Sequence, residues 1–145
     1  MNTTESNQTF VGTPLYELKE GEEYLSQAQR THLEQILRAW RTQLMEQVNT
    51  TVTHLQMDER VHVPDPIDAA QREEEVAIEL RTRDRERKLI KKIDDTLEFV
   101  LDPNYGYCES CGAEIGLRRL EIRPTATQCI DCKTVNEIKE QRTQS

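Results

Sequence analysis

The chain lacks any apolar run near the 18 residues of a membrane-spanning helix. Its opening stretch, MNTTESNQTF, lacks the basic and then apolar regions of a secretory signal, so a cytoplasmic protein is expected. Aromatic residues are scarce, seven in 145, and hydrophobic residues are 35% of the chain against 32% charged. That is thin for one globular core and suits long, half-solvated helices. A basic excess is also missing. The net charge of −8 leaves no general electrostatic footprint for duplex DNA, so direct sequence-specific DNA binding is not expected. No Ser/His/Asp or Cys/His arrangement suggests nucleophilic catalysis, and a non-enzymatic monomer is expected. His32, His54 and His62 are scattered on or near one helical pattern and read as surface residues. Trp40, at a contact position of that pattern, reads as core.

What is present begins with two helical patterns. Residues 1–25 open polar and loose, then offer a short element pinned by Leu15, Leu18 and Leu25. SQAQ at Ser26–Gln29 matches a capping box. Leu33, Ile36, Leu37, Trp40, Leu44, Val48, Val52 and Leu55 follow at steps of three and four, which predicts a helix over about 27–57. At 1.5 Å per residue it spans roughly 45 Å. A second face runs through Ala69, Ala70, Val76, Ala77, Leu80, Ile90, Ile93, Leu97 and Leu101, with Asp68 as a plausible N-cap and Pro103 as the stop. That helix spans roughly 50 Å. Between them lies HVPDPIDAAQ, whose prolines stop a helix. Two helices of similar length joined by a short connection fold back as an antiparallel coiled coil.

The second helix carries RTRDRERK, Arg81–Lys88, where no full apolar stripe is possible. Arg83 and Arg87 are expected to lay their aliphatic stems against Leu44–Val48, with Glu46 as a pairing partner. Charge is also segregated. Asp58–Glu75 holds seven acids against two bases, and Glu79–Lys92 holds seven bases against three acids. An acidic tip and a basic shaft suit a partner that is itself electrostatically graded.

All four cysteines fall in CESC at Cys108–Cys111 and CIDC at Cys129–Cys132, with seventeen residues between the pairs. This spacing fits a four-cysteine zinc site. A closed shell of four thiolates leaves no place for an activated water, so one structural Zn2+ per chain is expected. Arg118, Arg119, Arg123 and Lys133 lie in or beside the loop and can offset its negative charge. The last stretch reads as a short helix anchored by Val135 and Ile138.

DPIDAAQREEE, RTRDRERKLIKKI, GYCESCG, EIGLRRLE, RPTA and CIDCKT together resemble the DksA/TraR family of zinc-finger transcription factors. The resemblance covers 26–136 densely, and GEEYLSQAQ extends it upstream. It implies a mainly α fold in which a long antiparallel coiled-coil hairpin projects from a small globular head with a four-cysteine zinc finger and a C-terminal helix. The parts would be an N-terminal segment over 1–25 packing on the head, a coiled coil over 26–102 with its tip near 62–68, and a zinc-finger domain with the last helix over 103–145. The family binds bacterial RNA polymerase rather than DNA, its coiled coil entering the secondary channel. With ppGpp it represses ribosomal RNA promoters and activates some biosynthetic ones. By motif, Asp65, Asp68 and Ala70 match the functional tip. Leu89, Lys92, Arg123, Asp131 and Lys133 match the side of a ppGpp site at the polymerase interface, and Arg85 and Lys88 match polymerase contacts. Thr82 replaces the asparagine of the family's LRNRDRER version. The alternative is a Gre-like transcript-cleavage or elongation factor acting through the same channel.

Overall fold

The structure, a computed structural model, describes residues 7–59 and 66–143, with the backbone alone for 54–59. The described residues form four helices: α1 (Gln27–Glu59), α2 (Pro66–Phe99), α3 (Leu117–Ile122) and α4 (Ile130–Thr143). Among them there is no strand, only isolated bridges at Gln8 with Pro14 and Tyr107 with Glu114. The fold is mainly α, as expected. The chain divides into two compact units, one of Met1–Ala39 with Asp95–Ser145, the other of Trp40–Asp94.

In the first unit α1 starts at a variant of the capping box. Ser26 Oγ accepts the Gln29 backbone N–H at 3.3 Å, while Gln29 Oε1 accepts the Leu25 N–H at 2.7 Å. Leu25 is left-handed at φ 50°, which turns the chain into the helix. The core gathers Leu25, Leu33, Ile36, Leu37, Val100, Tyr105, Ile115, Leu117 and Leu120. Each fully buried aliphatic side chain of this kind contributes about 1.5–3 kcal/mol. The segment before α1 has no helix or strand among its described residues. Leu25 is buried and Leu15 half-buried, but Leu18 is exposed and pins nothing. Polar contacts hold the segment instead. The Tyr16 N–H donates to Glu121 Oε2 at 2.8 Å, and Tyr24 Oη donates to the Gly106 carbonyl at 2.7 Å. Gly106 has φ +92°, and a Cβ there would stand 2.0 Å from Leu25 Cδ1.

In the second unit α1 and α2 run antiparallel. Arg41 pairs with Asp94 at 2.5 Å, while further along α1 Gln43, Gln47 and Thr50 share a cleft with Glu86. Leu44 and Val48 face inward from α1, and Ile90 and Ile93 from α2. Counting back from Ile90 in heptad steps reaches Glu86, Arg83, Glu79 and Val76, all half-buried. The seam therefore passes through charged residues. Leu80, one position off this seam, is exposed, as are Ala70 and Arg87. Leu101, beyond the end of α2 in the first unit, is exposed too. Arg83 does lay its stem into the seam, but no ion pair joins Glu46 to Arg83 or Arg87. Arg83 Nε and Glu86 Oε2 are buried without a hydrogen-bond partner. A buried unsatisfied polar atom costs about 1–3 kcal/mol.

α2 opens on Pro66, a residue suited to the first helical position because its missing N–H is one the helix leaves unpaired. Asp68 consequently sits inside the first turn rather than at the N-cap, where its charge still complements the helix dipole. Residues 62–65 of the expected tip lie outside the described residues, as do the side chains of His54, Leu55 and His62.

Candidate metal centre and charged faces

Two local structures bring the cysteines together. The first pair lies on a knuckle in which the Gly112 N–H donates to the Cys108 carbonyl at 2.9 Å and the Cys108 N–H to Ala113 at 2.7 Å. Gly112, at φ +77°, closes the turn. The second pair straddles the start of α4, with Cys129 just before it and Cys132 in its first turn. The Glu109 N–H donates to the Thr127 carbonyl at 2.9 Å and ties the two halves. All four Sγ atoms lie within 4.8 Å of one another, and Cys111 Sγ stands 3.7 Å from Cys129 Sγ. Four sulfurs at zinc–sulfur distances near 2.3 Å sit roughly 3.8 Å apart in a tetrahedron, so the separation suits ligands rather than a disulfide.

The thiols are electrostatically unequal. Backbone N–H groups of Cys129, Cys111 and Ser110 draw the Cys108 thiol down to about 6. The neighbouring Cys129, Cys108 and Cys111 thiols push Cys132 up to about 12. Crowded thiolates repel one another, and a divalent cation removes that penalty by binding all four. The donor set and geometry fit a structural zinc.

The bases around the loop have partners of their own. Arg118 Nη1 donates to Glu121 at 2.7 Å, Arg119 Nε to the Gln128 carbonyl at 3.4 Å, and Lys133 Nζ lies 4.0 Å from Glu137. Arg123 and Asp131 are exposed in the first unit, with Lys133 half-buried on α4. Leu89 and Lys92 belong to the second unit, half-buried and exposed respectively. Arg85, Lys88, Asp68 and Ala70 are exposed on α2, and Asp65 lies outside the described residues. Val135 and Ile138 are 49% and 46% exposed, so they do not anchor α4, which buries none of its residues.

One buried polar cluster escaped the sequence. Glu121 is 1% exposed and lies 2.8 Å from His32 Nε2, whose side chain is 13% exposed rather than on the surface. Glu121 also accepts from Arg118 and from the Tyr16 N–H. The available signal was the position of His32 three residues from Gln29 and four from Ile36, both buried.

Comparison with known proteins gives a consistent pattern. Residues 29–100 match the family model of the DnaK suppressor protein DksA, N-terminal domain, and residues 103–137 match the prokaryotic dksA/traR C4-type zinc finger. The chain is 60% identical over 133 residues to the RNA polymerase-binding transcription factor DksA of Salmonella typhimurium, covering 92% of this chain and 87% of that protein. The protein of that name from Escherichia coli K12 matches to the same extent. The structure of transcription factor DksA2 from Pseudomonas aeruginosa is similar with a TM-score of 0.73 and 39% identity, over 81% of this chain and 90% of that one.

Proposed function

The chain belongs to the DksA/TraR zinc-finger family, and on that footing we propose that it is a transcription regulator that binds bacterial RNA polymerase directly. The carrying observation is 60% identity over 92% of the chain to polymerase-binding transcription factors, with all four cysteines in place. The relatives' names favour this reading over transcript cleavage. The regulator is cytoplasmic, monomeric and non-enzymatic, and does not read DNA sequence. None of the described helices is long and apolar enough to cross a membrane.

In this reading the coiled coil enters the secondary channel and its tip, with Asp65, Asp68 and Ala70, acts near the catalytic centre. Arg85 and Lys88, exposed on α2, contact the polymerase. Leu89 and Lys92 of α2, and Arg123, Asp131 and Lys133 of the zinc-finger region, take part in ppGpp binding at the polymerase interface, where the bases supply charge-assisted hydrogen bonds to phosphate. With ppGpp the protein lowers initiation at ribosomal RNA promoters and raises it at some biosynthetic ones, through differential affinity for states of the promoter complex.

The test is binding to core polymerase without DNA, with and without a channel-occupying competitor. Displacement by the competitor is expected, and undiminished binding overturns the channel reading. Asp68→Asn should bind like the parent yet fail to repress a ribosomal RNA promoter at equal occupancy. Lys92→Ala should blunt the response to ppGpp and spare repression at high protein concentration.

A further inference from the structure

The last turn of α2 and the first cysteine knuckle enclose a cavity of about 520 Å³, within the size range of ligand pockets. Three aromatic rings line it, those of Phe99, Tyr105 and Tyr107, beside small residues such as Thr96, Gly112 and Ala126. Phe99 is 43% and Tyr107 39% exposed, yet neither ring is loose. Phe99 meets Tyr105 edge to face, with centroids 6.1 Å apart. Tyr105 is buried, and its hydroxyl donates to the Pro124 carbonyl at 2.6 Å. Tyr107 meets Tyr24 in the same manner at 5.6 Å. The Tyr24 hydroxyl donates to the Gly106 carbonyl and accepts the Gly116 N–H at 2.9 Å. Exposed rings held by a buried Tyr105 and a half-buried, doubly hydrogen-bonded Tyr24 lose little freedom on binding, so the surface is organised before anything arrives.

Charge selects the occupant. Among the described residues Glu109 is the only charged side chain lining the cavity, and it accepts from the Thr127 hydroxyl at a long 3.4 Å. α2 has no basic residue in its own last turn, and its end is covered instead by Arg30 of α1, whose Nη1 donates to the Val100 and Asp102 carbonyls at 2.8 Å. Cys108, which also lines the cavity, belongs to a centre whose four thiolates outweigh the charge of one zinc. Glu109 and the thiolate-rich centre repel anions and attract cations, and the faces of aromatic rings do the same. Among cations, a guanidinium fits best. It is planar, stacks on rings, sheds water more readily than an ammonium and pairs with a carboxylate in two parallel hydrogen bonds. The partly exposed faces of Phe99 and Tyr107 form an apolar surface that a macromolecule covers and a small free cation does not.

We infer that this cavity seats an arginine side chain presented by a protein partner. The inference does not depend on the polymerase reading. It is tested on the zinc-loaded full chain by titrating acetyl-Gly-Arg-Gly-amide and following the ring signals of Phe99 and Tyr107 and the Glu109 amide by NMR. Saturable shifts are expected. Replacing the peptide's arginine by neutral citrulline or by lysine should weaken binding about tenfold. Phe99→Ala should weaken it comparably. Glu109→Gln, nearly isosteric at an exposed position, should do so with zinc content and the remaining spectrum unchanged. Absence of saturable shifts overturns the assignment, as does equal affinity for the citrulline or lysine peptide. Parent-like binding by both variants overturns it as well. Tighter binding of spermidine than of the arginine peptide would overturn it in favour of a free polyamine site.

Discussion

In the unit built from Met1–Ala39 and Asp95–Ser145, Leu33, Ile36, Leu37, Val100 and Leu120 are wholly removed from solvent, whereas among the described residues of Trp40–Asp94 only Ile93 is. The first unit adds a metal centre and a buried carboxylate with three donors. The second replaces part of its seam by Glu79, Arg83 and Glu86 and leaves two polar atoms without partners. A chain with few apolar residues has concentrated them where several segments meet. It leaves the paired helices with a seam held partly by aliphatic stems. The second unit is therefore expected to be the less stable, since charged side chains in apolar positions forgo transfer energy and incur desolvation.

The sharpest way to break this comparison is to remove the metal. Chelation, or Cys108→Ser, should loosen residues 103–143 while α1 and α2 within Trp40–Asp94 keep their helicity. Structural zinc in isolated fingers is worth on the order of 10 kcal/mol. Zinc content with amide exchange resolved by segment checks this, and equal loosening in both units would refute it.

Next in size is Glu121→Ala. It strips His32 and Arg118 of their shared acceptor and leaves the Tyr16 N–H unpaired. Losing one partner of a buried charged network costs about 3–5 kcal/mol, to be read from denaturant unfolding. A loss below about 1 kcal/mol would mean the pocket readily admits water.

In the second unit the sign should reverse. Glu86→Leu fills a heptad position with an apolar side chain and removes an unsatisfied buried oxygen. It should stabilise the helix pair by about 1–3 kcal/mol, measured as slower amide exchange near Ile90. Destabilisation would show that Glu86 makes a contact essential to the pair. The smallest effect belongs to Arg41→Ala. Its partner Asp94 is well exposed, so the thermal midpoint should stay within the scatter of replicate melts.

Local pattern determined much of this. Helical periodicity located both long helices, because an amphipathic stripe is a property of consecutive residues. The Cys-x2-Cys pairs announced a zinc centre, because two ligands on one tight turn already occupy half of a tetrahedron. Tertiary structure decided the rest. The heptad frame of α2 was ambiguous through the charge run, and only pairing with α1 moved burial from Leu80 to Glu79 and Arg83. Val135 and Ile138 looked like anchors until α4 proved to present no buried face. His32 and Glu121 are 89 positions apart, and Phe99 and Tyr107 face a common cavity only because Tyr105 and Tyr24 buttress them. Distances of this kind depend on how remote segments pack, and no local propensity encodes them.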